Sequence, residues 1–198
     1  MNYPVMEHYY TIQGEGTYAG HAAYFIRLAG CDVGCTWCDV KDSWDAEGYP
    51  LVSISEMLQW VKNSGANRVI ITGGEPAMYD LTPLCEAFFE HHIFTHIETS
   101  AAHEINGRFD WICISPKKFK SPILSEMPKA NELKIVVFNK SDFEWAEKWA
   151  QTCDANCQLF LQPEWDKRDQ MLPLIIDYVK NKPHWRISLQ THKYIDIP

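Results

Sequence analysis

An incomplete β/α barrel is the fold this sequence predicts, on three observations. Seven short apolar runs rich in β-forming residues recur along the chain, each ending in a polar cluster. Helical segments fill several of the gaps between them, and strands alternating with helices build a parallel sheet with right-handed crossovers. Two gaps are too short or too irregular for a helix, and 198 residues fall short of the ~250 of a full eight-fold barrel. The expected class is therefore α/β, a partial TIM-like barrel with reduced outer helices, in one domain over residues 1–198.

The strand candidates, in order, are AAYFIRLAGC (22–31), RVIITGGEP (68–76), FTHIETS (94–100), DWICISPKK (110–118), ELKIVVFNK (132–140), QLFLQPE (158–164) and WRISLQTHK (185–193). Ser53 with Glu56 reads as a capping box opening a helix to about Lys62, with Gly65 just past its end. Thr82 followed by Pro83 reads as an N-cap with proline at the first helical position, starting a helix to about His91. Ser141 is placed to cap a helix through Ala150. A further helix is expected over Asp169 to Asn181, with Pro173 in its first turn. The span 101–109 contains Asn106–Gly107 and is too short for a full crossover helix; 119–131 carries Pro122 and Pro128 and reads as irregular.

In parallel barrels the chemistry sits at the C-terminal ends of the strands, where the βα loops converge. Cys31, Thr72 to Gly74, Glu98 to Ser100, Ser115 to Lys117, Gln162 to Glu164 and Gln190 to His192 should therefore surround one cavity.

Composition excludes some functions. The net charge of −8 argues against a nucleic-acid partner, which selects a basic surface. No apolar run is long enough to span a bilayer. The first residues show neither a basic n-region nor an apolar h-region, so a cytoplasmic, reducing location is expected. There, clustered cysteines point to metal or redox chemistry rather than to structural disulfides, and seven is an odd number to close into a disulfide framework.

Three of the seven fall within GCDVGCTWCDV (30–40), directly after the first predicted strand. Thiolates are soft ligands for zinc or for iron–sulfur clusters. A closed zinc site takes four protein ligands; His21, Cys153 or Cys157 are candidates for the fourth, and no spacing demands any of them. Three cysteines on a four-iron cluster leave one iron open to a small molecule. Cys85 and Cys113 sit in apolar runs and read as core residues. Cys153 and Cys157 read as half-buried thiols at a helix end, with a second metal site as the alternative. Trp145 and Trp149, four apart, should pack one helix face.

The segment CDVGCTWC resembles the cluster loop of the radical S-adenosylmethionine (SAM) superfamily, and TGGEP (72–76) resembles that superfamily's second motif. The resemblance narrows with YTIQGEG, YFIRLAGC, WCD, ITGGEP, ETS, SPK, LQPE and LQTHKYIDIP, which together resemble the 7-carboxy-7-deazaguanine synthase family along almost the whole chain. What this resemblance implies is a ring-contracting carbon–nitrogen lyase of queuosine and deazapurine biosynthesis. It turns 6-carboxy-5,6,7,8-tetrahydropterin into 7-carboxy-7-deazaguanine with loss of ammonia, after hydrogen abstraction from C6. The implied cofactors are a [4Fe-4S] cluster and S-adenosyl-L-methionine. Flavodoxin or ferredoxin is the implied electron donor, and a homodimer the implied assembly. A glycyl-radical-activating enzyme of the same superfamily is the alternative.

Carried over residue by residue, the resemblance gives the cluster to Cys31, Cys35 and Cys38. It gives adenosylmethionine to Trp37, Cys38, Asp39, Gly73, Gly74, Glu75, Ser115, Pro116, Lys117, Gln162, Pro163, Glu164 and Trp165. It gives the pterin to Ile12, Gln13, Gly14, Arg27, Thr72 and the carboxylate of Pro198, to which Glu15 and His192 are added as substrate neighbours. The residue chemistry agrees: Arg27 offers a planar fork for a carboxylate, and Gln13 and Glu15 suit a donor-rich pterin edge. No catalytic side chain is implied, because the radical arises on the cofactor. One position departs. The family commonly has threonine after the CD pair, its hydroxyl binding magnesium beside the substrate; here that position is Val40, which has no side-chain oxygen. Weak or absent magnesium dependence is expected.

Overall fold

In the computed structural model, which describes residues 1–198, the seven predicted runs become seven strands. They are β2 (Ala22–Leu28), β4 (Arg68–Gly73), β5 (Phe94–Thr99), β6 (Trp111–Ile114), β7 (Glu132–Val137), β8 (Gln158–Pro163) and β9 (Trp185–Ile187). All seven are mutually parallel and pair in chain order. Two further strands, β1 (Asn2–Ile12) and β3 (Leu51–Ser53), pair antiparallel at the β2 edge, giving the order β3-β1-β2-β4-β5-β6-β7-β8-β9. The sheet is an open, partial barrel. β1, the longest strand, was not among the predicted runs; it holds Pro4, whose carbonyl still accepts from Ala29 N–H, since proline lacks only the donor.

The outer layer is thin, as expected. Helix α1 (Ile54–Ser64) is capped by Ser53, whose hydroxyl accepts from Glu56 N–H at 3.3 Å, and it ends at Gly65 in the left-handed region with φ 74°. Its Met57 and Val61, one turn apart, are fully buried. Helix α2 (Thr82–Glu90) begins one residue earlier than predicted: Leu81 is its N-cap, and the Asp80 carboxylate takes the Thr82 N–H. Helix α3 (Asp142–Ala150) is not capped by the Ser141 side chain; instead the Asp142 carboxylate accepts from Phe138 and Asn139 N–H, both at 2.7 Å. Helix α4 (Arg168–Asn181) carries Pro173 in its second turn rather than its first, because a short 3₁₀ turn over Trp165–Lys167 precedes it. No helix separates β5 from β6, and only a 3₁₀ segment, Leu124–Lys129, lies between β6 and β7. Beyond β9 the chain forms a last helix, α5 (Thr191–Ile195), where a strand was read through to Lys193.

Side chains alternate along each strand. One set, which includes Ile26, Ile71, Ile97, Leu133, Ile135 and Leu161, joins the main core with Met57, Leu84, Phe88 and Ile175 from the helices. The other set faces the barrel interior, and it is largely polar: Arg27, Thr72, Glu98, Ser115, Lys134 and Gln162 all line one cavity. The linker between β1 and β2 crosses that interior. Gly16 N–H donates to Ser188 Oγ and Thr17 N–H to Glu132 Oε2, both at 3.0 Å, tying the first strands to the last across the gap the open sheet leaves.

Candidate active site

The cavity at the strand ends has a volume of about 280 Å³. Every residue assigned a site role from the sequence lines it except Pro116, which is buried between two lining residues, Ser115 and Lys117. The predicted rim clusters do converge.

The cysteine loop forms one wall. It is pinned by backbone hydrogen bonds from Gly30 to Ser43 O (2.7 Å) and from Cys31 to Trp44 O (3.1 Å). Cys35 packs with Val33 and Ala102 in a small apolar cluster against which Cys31 and Cys38 also lie. All three are free thiols. Burial pushes the Cys35 thiol up to about 11 and raises that of Cys31; a bound metal deprotonates a coordinating thiol outright. No three His, Cys, Asp or Glu side chains converge on a single ion. From outside, Asp32 in this loop is held by Lys120 Nζ (2.6 Å) and His103 Nε2 (2.9 Å).

The glycines after β4 make the second wall, and both are dictated by close approach. A Cβ on Gly73 would fall 2.1 Å from Leu28 O, and one on Gly74 would fall 2.4 Å from Gly30 O and 2.7 Å from Cys31 Cβ. Only glycine lets this strand end sit against the cysteine loop. Glu75 is 1 % exposed. Its carboxylate accepts from Thr99 Oγ1, from the backbone N–H and Oγ of Ser100, and from Ala77 N–H. The side chain therefore locks the turn to β5. Beside it, Lys117 Nζ donates to Ser115 Oγ at 2.7 Å; burial lowers the ammonium, and the Cys35 thiol acts in the opposite sense. The Trp37 and Phe119 rings meet edge to face 6.1 Å apart at the rim.

Deeper in, charge is concentrated. Lys134 Nζ bridges Glu15 Oε2 at 2.5 Å and Glu98 Oε2 at 2.8 Å. Burial alone would raise both carboxyls, but the Lys134 ammonium outweighs it and holds both below the usual range. Gln13 Nε2 donates to Glu98 Oε1 at 3.2 Å, and Gln190 Nε2 to Glu15 Oε1 at 3.1 Å. Arg27 donates through Nε to Glu7 at 2.6 Å, which orients the guanidinium beside Thr72, its register partner on β4. Arg27 thus lines the cavity while its Nε side is held by Glu7, the kind of surface ion pair that is the alternative role for this residue.

The C-terminal segment covers the remaining side. Thr191 donates through both N–H and Oγ1 to Gly14 O, and Thr11 Oγ1 donates to Pro198 O at 3.3 Å. Tyr194 packs on Trp165, and Lys193 Nζ pairs with Asp39 at 3.0 Å. Burial lowers His192, favouring its neutral form. Next to Asp39, Val40 presents only a hydrocarbon side chain to the cavity. The residues for a magnesium site do not fit: one ligand is missing, and an ammonium occupies the neighbouring carboxylate.

Sequence reasoning missed Lys134, Tyr9, Phe25, Trp44 and Val136 among the lining residues. For Lys134 a signal was present. A strand buried on both faces should be continuously apolar, so the charges at alternate positions of ELKIVV mark an inward polar face.

Residues 25–127, which carry the three free thiols and the glycine turn that converge at the strand ends of this partial barrel, match the radical SAM superfamily. The chain belongs to that superfamily and, within it, to the 7-carboxy-7-deazaguanine synthase family. It is 49 % identical over 195 residues to the 7-carboxy-7-deazaguanine synthase of Flavobacterium psychrophilum, covering 98 % of this chain and 92 % of that one. It is 35 % identical to the Escherichia coli synthase over the full length of both chains. The crystal structure of QueE from Escherichia coli superposes with a TM-score of 0.87 at 33 % identity, covering 96 % of this chain and 94 % of that one. These matches favour the synthase over the glycyl-radical-activating alternative. No helix is long and apolar enough to cross a membrane.

Proposed function

We propose that this chain converts 6-carboxy-5,6,7,8-tetrahydropterin to 7-carboxy-7-deazaguanine with release of ammonia, residues 1–198 acting as a single radical SAM domain. The observation that carries the reading is convergence: the thiols of Cys31, Cys35 and Cys38, the glycine turn at Gly73 and Gly74, and the polar interior around Glu15, Arg27 and Glu98 open into one cavity. Cofactor and substrate can therefore be held in contact.

The three thiols would hold a [4Fe-4S] cluster, and Gly73, Gly74, Ser115, Lys117 and Gln162 to Trp165 would hold adenosylmethionine against it. When bound, this pair supplies the one-electron chemistry that removes a hydrogen atom from the substrate. The chain's own part is binding and orientation. Arg27 offers its free guanidinium nitrogens to the substrate carboxylate. Gln13, Glu15 and Glu98 accept from the amino group and ring N–H of the pterin. His192, on the helix that seals the cavity, packs against Gly14 and excludes water from the reacting edge. Flavodoxin or ferredoxin supplies electrons, the protein works as a homodimer in the cytoplasm, and magnesium is not required.

The test is anaerobic turnover. Reconstituted protein with reductant, adenosylmethionine and the carboxypterin is expected to form 7-carboxy-7-deazaguanine and ammonia. No product from a preparation with full cluster content overturns the reading.

A further inference from the structure

We infer that Lys134 is a positioning residue for substrate recognition: wedged between Glu15 and Glu98, it keeps both as hydrogen-bond acceptors facing the cavity. The inference rests on the functional reading above and adds to it a residue that no motif marks.

Lys134 is buried, its side chain 5 % exposed, on a strand inside the barrel. It is the one lysine or arginine within ion-pair distance of either carboxylate. The arrangement is nearly symmetric. Each carboxylate gives one oxygen to the ammonium and the other to a glutamine amide, Gln190 for Glu15 and Gln13 for Glu98. A carboxylate oxygen has two lone pairs, so each keeps acceptor capacity for a ligand in the cavity that it lines. The amino group and the ring N–H groups of a reduced pterin are donors, and they need acceptors.

Two carboxylates this close in a buried site do not both stay ionised unaided. Burial and mutual repulsion each favour the neutral acid, and one group then keeps a proton. That proton turns an acceptor into a donor opposing the donor edge of the substrate. The surrounding titratable groups do not replace the lysine. His96, beside Glu98, is held neutral by burial, which lowers it to about 4. Burial also raises the Cys113 thiol and the Glu132 carboxyl, which face Lys134 from β6 and β7. His192, near Glu15, is lowered by burial as well. The other cations nearby are engaged elsewhere: Lys117 donates to Ser115, Arg27 to Glu7, and Arg68, which acts on His96, lies over the Tyr18 and Phe94 rings. One charge thus fixes the protonation of two recognition groups.

The experiment is anaerobic calorimetric titration of cluster-loaded protein with the carboxytetrahydropterin, without reductant, across neutral pH. Wild type should bind with an affinity that changes little with pH. Lys134→Gln should lose about tenfold or more at pH 7 and regain affinity as the pH rises, because alkali restores the shared carboxylate. Lys134→Arg should bind with the flat profile of wild type. A purely structural role weakens binding at every pH alike, so a K134Q profile parallel to wild type overturns the inference. Infrared spectra of wild type keep the test open if K134Q does not fold. A carboxylic acid band at neutral pH that disappears in Glu15→Gln or Glu98→Gln overturns it, and the absence of such a band supports it. Wild type that binds no pterin at all brings down the functional reading together with this one.

Discussion

His192 Nδ1 lies 2.2 Å from the point where a Cβ on residue 14 would stand. Gly14 is therefore a packing requirement: the first linker and the last helix touch backbone to ring, and Thr191 clamps the contact through two hydrogen bonds to Gly14 O. Gly14→Ala must displace α5, at a cost of about 1–3 kcal/mol for overpacking. Its expected effect is a rise in KM for the pterin of about tenfold, with cluster content unchanged. Steady-state kinetics beside iron analysis checks this.

Glu75→Gln tests the turn that carries the glycines. Glu75 accepts every hydrogen bond it makes through its side chain, and an amide would aim an N–H at one of those donors. An unsatisfied buried pair costs about 1–3 kcal/mol. The melting temperature is expected to fall by several degrees, about 2–4 °C per kcal/mol for a chain of this size, and adenosylmethionine affinity should fall with it. Calorimetric melts and equilibrium binding read the two effects.

Magnesium separates this chain from the pattern it otherwise follows. Val40 has no ligand oxygen, and Asp39 is paired with Lys193. Turnover is expected to show no saturable response to added magnesium and no loss on chelation. Val40→Thr supplies the missing hydroxyl and should introduce a magnesium response, most clearly when combined with Lys193→Ala. Initial rates against magnesium concentration decide the matter; strong stimulation of the wild type would contradict it.

His96 predicts acid sensitivity. Both of its ring nitrogens are buried without a hydrogen-bond partner, and burial lowers it to about 4. The sign follows from linkage: below the ordinary histidine value of ~6.5 the unfolded chain takes up the proton and the folded chain does not. Stability is therefore lost as the pH falls from about 6.5 towards 4, by about 3 kcal/mol for this group. Urea unfolding at pH 7 and pH 5 should show a fall for wild type and a smaller one for His96→Phe.

Much of the site was legible because its chemistry is local. CDVGCTWC and TGGEP each bring several reactive or permissive groups within a few residues, and a parallel barrel sends every strand end to the same rim. Arg27 and Gln13 were named by the family resemblance, and their chemistry suits the role. For Lys134 only the inward placement was legible, from the alternating charges of ELKIVV; its partners Glu15 and Glu98 are 119 and 36 residues away in sequence. The hydrogen bonds of Glu75 were equally hidden, since they reach Thr99 and Ser100 across to the neighbouring strand.

The sequence by itself determined the parallel strands, the thin outer layer, the clustering of three cysteines in one loop and the absence of a hydroxyl at position 40, since each depends on residue type and short spacing. Only the tertiary structure decided that β1 joins the sheet, that the first linker threads the barrel to meet the last helix, and that a single ammonium serves two distant carboxylates. Those contacts depend on burial and on Coulomb interactions between groups far apart in the chain, and no local pattern encodes which side chains share a low-dielectric interior.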